Sequence, residues 1–292
     1  MRLLIVANID KPHVRPFLED VLPWLKQRVN VVGIDENCRQ GWEGLDADAI
    51  LVLGGDGTLL AVARKLAGRQ IPVMGINFGR LGFLADFTPQ QCRPSFEIFL
   101  RGGLPISRRS MLEASVVPAE VLGKWSDLET VSAERRFVAT ALNDAVVTAG
   151  GPRMIQLEIG TDSESGISYS GDGVIISTAS GSTAYNVSAG GPIISPNVDA
   201  LCITPICPHS LSFRPVVLSM GSTVLITARR VNVGTTLSCD GQVNTALAAG
   251  ERIAIRRSEN QVLLVDNPDT TEWSTLAGKL HWAVGPQYND GK

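Results

Sequence analysis

The chain has 292 residues, with 26 lysines and arginines against 29 aspartates and glutamates and a hydrophobic share of 44%. That length suits roughly two domains with a sizeable core, and a net charge of −3 lacks the basic footprint of a general nucleic-acid binder. No run approaches the roughly 20 apolar residues of a membrane helix, and the apolar start at 1–6 is too short for a secretory signal.

Residues 3–7 read as a buried strand, 15–27 as a helix interrupted by Pro23, and 29–34 as a second strand. Strands at 49–53 and 71–76 flank a stretch, 58–67, with apolar residues at helical spacing. Strand, helix and strand at these lengths predict βαβ units on a parallel sheet. From about Arg108 the rhythm changes to short β-branched-rich runs at 112–117, 137–148, 155–160, 173–177, 216–218, 224–228, 252–256 and 262–265. Gly, Asn, Asp and Pro separate many of them, which predicts a mostly antiparallel, β-rich C-terminal domain. The polar stretch 125–136 reads as a surface loop, and 271–280 regains helical spacing. The expected organisation is an α/β domain over 1–107, with 268–292 packing back on it, and a β-rich domain over 108–267.

Cys38, Cys92, Cys202, Cys207 and Cys239 are odd in number and form no C-x-x-C pair. That argues against a disulfide framework, a zinc knuckle or a redox pair, and the expected setting is a reducing cytoplasm. Glycine carries the chemistry instead. Gly54-Gly55-Asp56-Gly57-Thr58 follows a strand and opens a helix, where backbone N–H groups and the positive helix end suit phosphate. It is not a Walker A loop, and Leu60 stands where a dinucleotide fingerprint needs its third glycine. Asp56 is the odd member, because a carboxylate repels phosphate. It could hold a magnesium ion against the phosphate or take a proton from an attacking hydroxyl, and either role makes a kinase. An ordinary helix-capping turn would use the same residues.

A second cluster runs from Gly171-Asp172-Gly173 through Ser180-Gly181-Ser182-Thr183-Ala184-Tyr185 to Ser188. It offers backbone donors, small hydroxyls and one aromatic face, with Ser182 or Thr183 as a candidate helix cap. A tightly packed strand-to-helix turn is the plainer alternative. Asn143-Asp144 breaks an otherwise apolar run, either as a ligand contact or as an edge bulge. Phe83 either walls a base or fills core, His209 is more often structural than catalytic in such apolar company, and Asp240-Gly241-Gln242 suits a hairpin turn.

In this order the motifs resemble the ATP-NAD kinase family over most of the chain. The resemblance rests on Gly54-Gly55-Asp56-Gly57, on 75–77 through Leu81-Gly82-Phe83-Leu84, on Asn143-Asp144, on Asp172-Gly173 with Gly181-Ser182-Thr183-Ala184-Tyr185, on Pro208-His209-Ser210-Leu211 and on Asp240-Gly241-Gln242. G-G-D-G is shared with lipid kinases and phosphofructokinases, whereas G-S-T-A-Y downstream of it is far more specific.

The resemblance implies transfer of the ATP γ-phosphoryl group to the 2′-hydroxyl of the adenosine ribose of NAD, giving NADP, with magnesium or another divalent metal. It implies Asp56 as general base, with Gly54, Gly55, Gly57 and Thr58 at the ATP phosphates. Asp56, Gly57, Phe83, Asn143, Asp144, Ser180, Thr183, Ala184, Tyr185 and Ser188 would form the NAD site. Asp172 would reach that site from a neighbouring subunit of a homodimer or homotetramer. Two departures stand out. The family usually has Asn-Glu at 143–144, so a ribose contact from Asp144 is longer or bridged by water. The family also commonly has Pro at 179, where Ala179 stands, which loosens the loop but removes no donor. The competing expectations are another G-G-D-G kinase acting on a lipid or sugar hydroxyl, a non-catalytic dinucleotide sensor and, weakest, a dehydrogenase.

Overall fold

The computed structural model describes residues 1–42, 44, 46–66, 68–79, 82–121, 134–161 and 164–280. Arg80 and Leu81 of the glycine-rich motif, 125–133 of the expected surface loop and 281–292 lie outside the described residues. The chain divides into two compact units, one of 1–59, 71–107 and 263–292, the other of 60–70 and 108–262.

In the first unit, strands β1 (Arg2–Ala7), β2 (Asn30–Glu36), β3 (Ala49–Gly54) and β4 (Pro72–Asn77) pair parallel in the order β2-β1-β3-β4. Leu263 and Leu264 continue the sheet beyond β4, also parallel. The near-continuous apolar runs of β1 and β3 are what a sheet buried on both faces requires. Helix α1 (Val14–Lys26) buries Val14, Leu18, Val21 and Leu25, one helical stripe, in a core with Leu3, Ile5, Leu51 and Phe96. Pro23 does not interrupt α1 as the sequence suggests. Pro23 and Glu19, four residues earlier, both lie on the exposed face of α1, so the missing hydrogen bond falls on the solvent side. Helix α2 (Asp56–Leu66) starts two residues before the expected Thr58, so Asp56 belongs to its first turn. A third helix, α3 (Cys92–Leu100), was not visible in the periodicity.

The chain leaves β1 toward β2 and β3 toward β4, on opposite sides of the sheet order. The carboxyl ends of β1 and β3 therefore flank a topological switch point, where open α/β sheets leave a crevice for ligands.

The second unit is built from β5 (Ile106–Val117), β6 (Phe137–Ala141), β7 (Asp144–Thr148), β8 (Ile155–Thr161), β9 (Glu164–Gly171), β10 (Gly173–Thr178), β11 (Ala200–Ile206), β12 (Val216–Ser219), β13 (Val224–Arg230), β14 (Thr236–Cys239), β15 (Val243–Ala246) and most of β16 (Arg252–Val265). One antiparallel sheet runs β12-β11-β10-β7-β14-β15. In a second sheet β13 pairs antiparallel with β16 and β8, β8 pairs with β9, and β5 pairs with β16 and β6. Val147, Ile176, Leu201, Ile155, Val224 and Ile253 from the two sheets close one core. The run 137–148 is two strands because β6 lies in one sheet and β7 in the other, and the chain changes sheet at Leu142-Asn143. The runs 252–256 and 262–265 are one strand whose middle carries the exposed Arg256, Arg257 and Glu259.

Tyr169, buried on β9, donates from its hydroxyl to the carbonyls of Gly173 at 2.7 Å and Ile206 at 2.9 Å, tying the turn at Asp172 to β10 and β11. Tyr169→Phe is expected to lower stability by about 1–2 kcal/mol while leaving the fold intact, measured as a shift in the urea midpoint.

Candidate active site

The switch point holds the first cluster. Asp56 opens α2 directly after β3, half-buried, with its carboxylate turned to the segment after Gly82. Phe83 N–H donates to Oδ2 at 2.8 Å, and the N–H groups of Leu84 and Ala85 donate to Oδ1 at 3.3 and 3.1 Å. A side chain at position 82 would collide with that carboxylate, so only glycine lets the segment close over Asp56. A carboxylate oxygen has two lone pairs, and Oδ2 keeps one of them beyond these bonds. Lys11, four residues past β1, donates from Nζ to the Gly54 carbonyl at 3.2 Å, which sets a cation on the glycine loop. The side-chain amide of Asn8 donates to Thr58 Oγ1 at 3.4 Å. Lys11 escaped the sequence reading because a lone lysine in a loop carries no periodicity.

The second cluster lies in the other unit. Asp240 and Gly241 form the expected hairpin turn between β14 and β15, both at positive φ (52° and 64°). The Asp240 side chain turns inward, away from solvent. It accepts from the N–H groups of Leu142 at 3.0 Å, Asn143 at 2.8 Å and Asp144 at 3.3 Å, with Arg64 of α2 at 3.5 Å. It thus holds the crossover between β6 and β7, a role its sequence position does not announce. Thr178 fastens the same crossover from β10, donating to the Leu142 carbonyl at 2.7 Å and accepting from Gly181 N–H at 3.0 Å. Gly181 packs so close to the Asn143 carbonyl that a Cβ has no room.

Asn143, Asp144, Ala184, Tyr185, Asp240 and Gly241 line a cavity of about 370 Å³. The Asn143 Oδ1 is buried and has no hydrogen-bond partner among the described residues. Burial, then the neighbouring Asp240 charge, pushes the Asp144 carboxyl up to about 7. Burial raises Asp240 too, against its three backbone donors and Arg64, which pull the other way.

The remaining candidates do not line that cavity. Ser180 lines a second, polar cavity of about 210 Å³ with Arg108, Ser110, Asp199 and Arg257. Thr183 sits in the 3₁₀ turn Ser180–Thr183, and Ser188 is exposed at the end of α4 (Tyr185–Ser188). Neither Ser182 nor Thr183 caps α4, whose N-cap is Ala184. The buried Ser182 hydroxyl bonds both backbone groups of Ile194 instead. Asp172 is exposed in the turn between β9 and β10, and His209 is exposed. Among the described residues no three His, Cys, Asp or Glu side chains cluster as a metal site.

Two family models match this chain, the ATP-NAD kinase N-terminal domain over residues 36–104 and the ATP-NAD kinase C-terminal domain over 142–267. The NAD kinase of Syntrophotalea carbinolica is 37% identical over 96% of this chain and 98% of its own. That of Prosthecochloris aestuarii is 36% identical over the full length of both. Among solved structures, a NAD kinase from Archaeoglobus fulgidus in complex with ATP aligns at TM-score 0.71 with 25% identity, over 92% of this chain and 94% of that one. A yeast NADH kinase complexed with NADH aligns at 0.85 over 100% and 90%, and at 23% identity it speaks for the fold.

The raised Asp144 carboxyl has a thermodynamic consequence. Its pKa stands near 7 in the folded chain against 3.8 in the unfolded one, so only the folded state holds that proton in between. Stability is therefore expected to be highest below about pH 4 and to fall as pH rises through about 7, as far as this group governs it. Urea midpoints across that range check the sign, and Asp144→Asn is expected to flatten the decline. An unchanged slope in the variant would assign the effect to another group.

Proposed function

The chain belongs to the ATP-NAD kinase family, whose reaction is the ATP-dependent phosphorylation of NAD to NADP, and we propose that Asp56 is the general base of that transfer. The observation that carries this reading is a carboxylate at the head of a glycine loop and helix, pinned by three amides, with an Oδ2 lone pair to spare. Asp56 takes the proton of the 2′-hydroxyl on the adenosine ribose as that oxygen bonds to the γ-phosphorus. The bond from phosphorus to the β–γ bridging oxygen breaks, and ADP leaves. The enzyme is a phosphotransferase with an alcohol acceptor.

In this reading Gly54, Gly55, Gly57 and Thr58 hold the ATP phosphates, and Lys11 adds a positive charge at the same loop. Phe83 lies beside the NAD adenine. Asn143 and Asp144 take NAD hydroxyls, an assignment supported by the unfilled Asn143 Oδ1. A protonated Asp144 donates one hydrogen bond and accepts others, which suits a ribose diol. Ser180, Thr183, Ala184, Tyr185 and Ser188 line the dinucleotide site, and the exposed Asp172 serves a neighbouring subunit of a homodimer or homotetramer. Of the expected domains, 1–107 with 268–292 carries the phosphate residues and Phe83, and 108–267 carries the remaining NAD residues. A cytoplasmic setting completes the reading. Among the described residues no helix is long and apolar enough to cross a membrane.

A divalent ion, magnesium or another, would travel on the ATP phosphates, and Asp56 would keep its spare lone pair for the hydroxyl proton. Magnesium bound there would screen the phosphate charge.

An endpoint assay with ATP, magnesium and NAD, read by an NADP-specific dehydrogenase, tests the reading. Asp56→Asn is expected to lower turnover roughly 10²–10⁴-fold with little change in NAD binding by calorimetry. Wild-type turnover in that variant would remove Asp56 from the role. Lys11→Met is expected to raise the KM for ATP about tenfold, the loss of one charge-assisted hydrogen bond, with kcat less affected.

A further inference from the structure

Helix α5 (Glu272–Leu280) delivers one more charge to the first unit. The Lys279 ammonium lies over the Phe83 ring, 3.8 Å from its centroid, and Phe83 is the residue whose N–H binds Asp56 Oδ2. Lys279 Nζ is buried and has no hydrogen-bond partner among the described residues. Burial pulls its pKa down, while the charges of Asp56 and Asp86 work against that loss. An ammonium carries three donors, all filled in water. A ring face answers its charge but fills none of those donors, so among the described residues the largely buried Nζ has its hydrogen bonds unmade. Packing does not call for it, since methionine would cover Phe83 equally well without burying a charge. An anion arriving beside Asp56 resolves the arrangement.

We propose that Lys279 is a further phosphate-binding residue of the transfer site, donating to oxygens of the transferring phosphoryl group beside Asp56. The proposal rests on the reading of Asp56 as the base. In the transition state negative charge spreads over three equatorial phosphoryl oxygens, so a preorganised ammonium in a water-poor site acts more strongly there than on bound ATP. It comes from helix α5, a separate element from the glycine loop.

Lys279→Met keeps the stem and removes the charge. Its kcat is expected to fall roughly 10²–10³-fold, with the KM for NAD within about threefold of wild type. Its urea midpoint is expected to equal or exceed that of the wild type, because a buried charge has gone. Lys279→Ala is expected to regain turnover, saturably, with added methylammonium. Independently of turnover, inorganic tripolyphosphate with magnesium should bind Lys279→Met at least tenfold more weakly by calorimetry. Wild-type kcat in Lys279→Met, a loss of kcat that only follows a lowered midpoint, or unchanged tripolyphosphate binding would each overturn the assignment. The Asp56 reading fails separately, when Asp56→Asn turns over normally while Lys279→Met does not.

Discussion

An aspartate carboxylate that accepts three consecutive backbone N–H groups is the interaction on which the candidate chemistry rests, and it occurs in both units. Asp56 gathers the amides of 83–85, and Asp240 gathers those of 142–144. Residues 83–85 belong to no strand, and 142–143 lie between β6 and β7, so these donors need another partner. Bonds to an ionised acceptor are stronger than neutral ones, and three of them fix a loop that would otherwise be free to move. Each arrangement depends on glycine: Gly82 lets the loop reach Asp56, and Gly181 leaves room beside the Asn143 carbonyl.

The two carboxylates differ in what remains after those bonds. Asp240 has a side chain with no exposed surface, and Arg64 adds a fourth contact, so its capacity goes into holding a turn. Asp56 is half-buried and stands at a helix N-terminus in the crevice of a parallel sheet, with a lone pair left. Exposure separates a positioning carboxylate from one able to take a proton. Asp144 is a third case, raised by burial and by its neighbour's charge into the range where it holds a proton near neutrality.

Unfilled polar atoms point the same way. Buried polar groups nearly always find partners. Asn143 Oδ1, on a cavity of about 370 Å³, and Lys279 Nζ, over Phe83, have none among the described residues. Each is a cost that, in the proposed reading, a bound hydroxyl or phosphate would remove. Stability given up at such points is what a binding site requires.

Much of this was legible in the residues themselves. Apolar runs bounded by turn residues carried β1, β3, β4, the change to short strands after Arg108 and the Asp240-Gly241 turn, and helical spacing carried α1 and α2. The order of G-G-D-G and G-S-T-A-Y carried the family. Local pattern could not show that 137–148 changes sheets, that 252–265 is one strand, or that Pro23 sits on the exposed face of an unbroken helix. Those outcomes depend on which neighbour a segment meets. Lys11, Arg64, Thr178 and Lys279 were invisible for the same reason, since each meets a residue distant in sequence. The sequence by itself determined the elements, the two rhythms and the residue types of the chemistry, because those follow from spacing along the chain. Only the tertiary structure decided which carboxylate is pinned, which keeps a lone pair and which ammonium is buried, because burial and hydrogen-bond partners are properties of the folded neighbourhood.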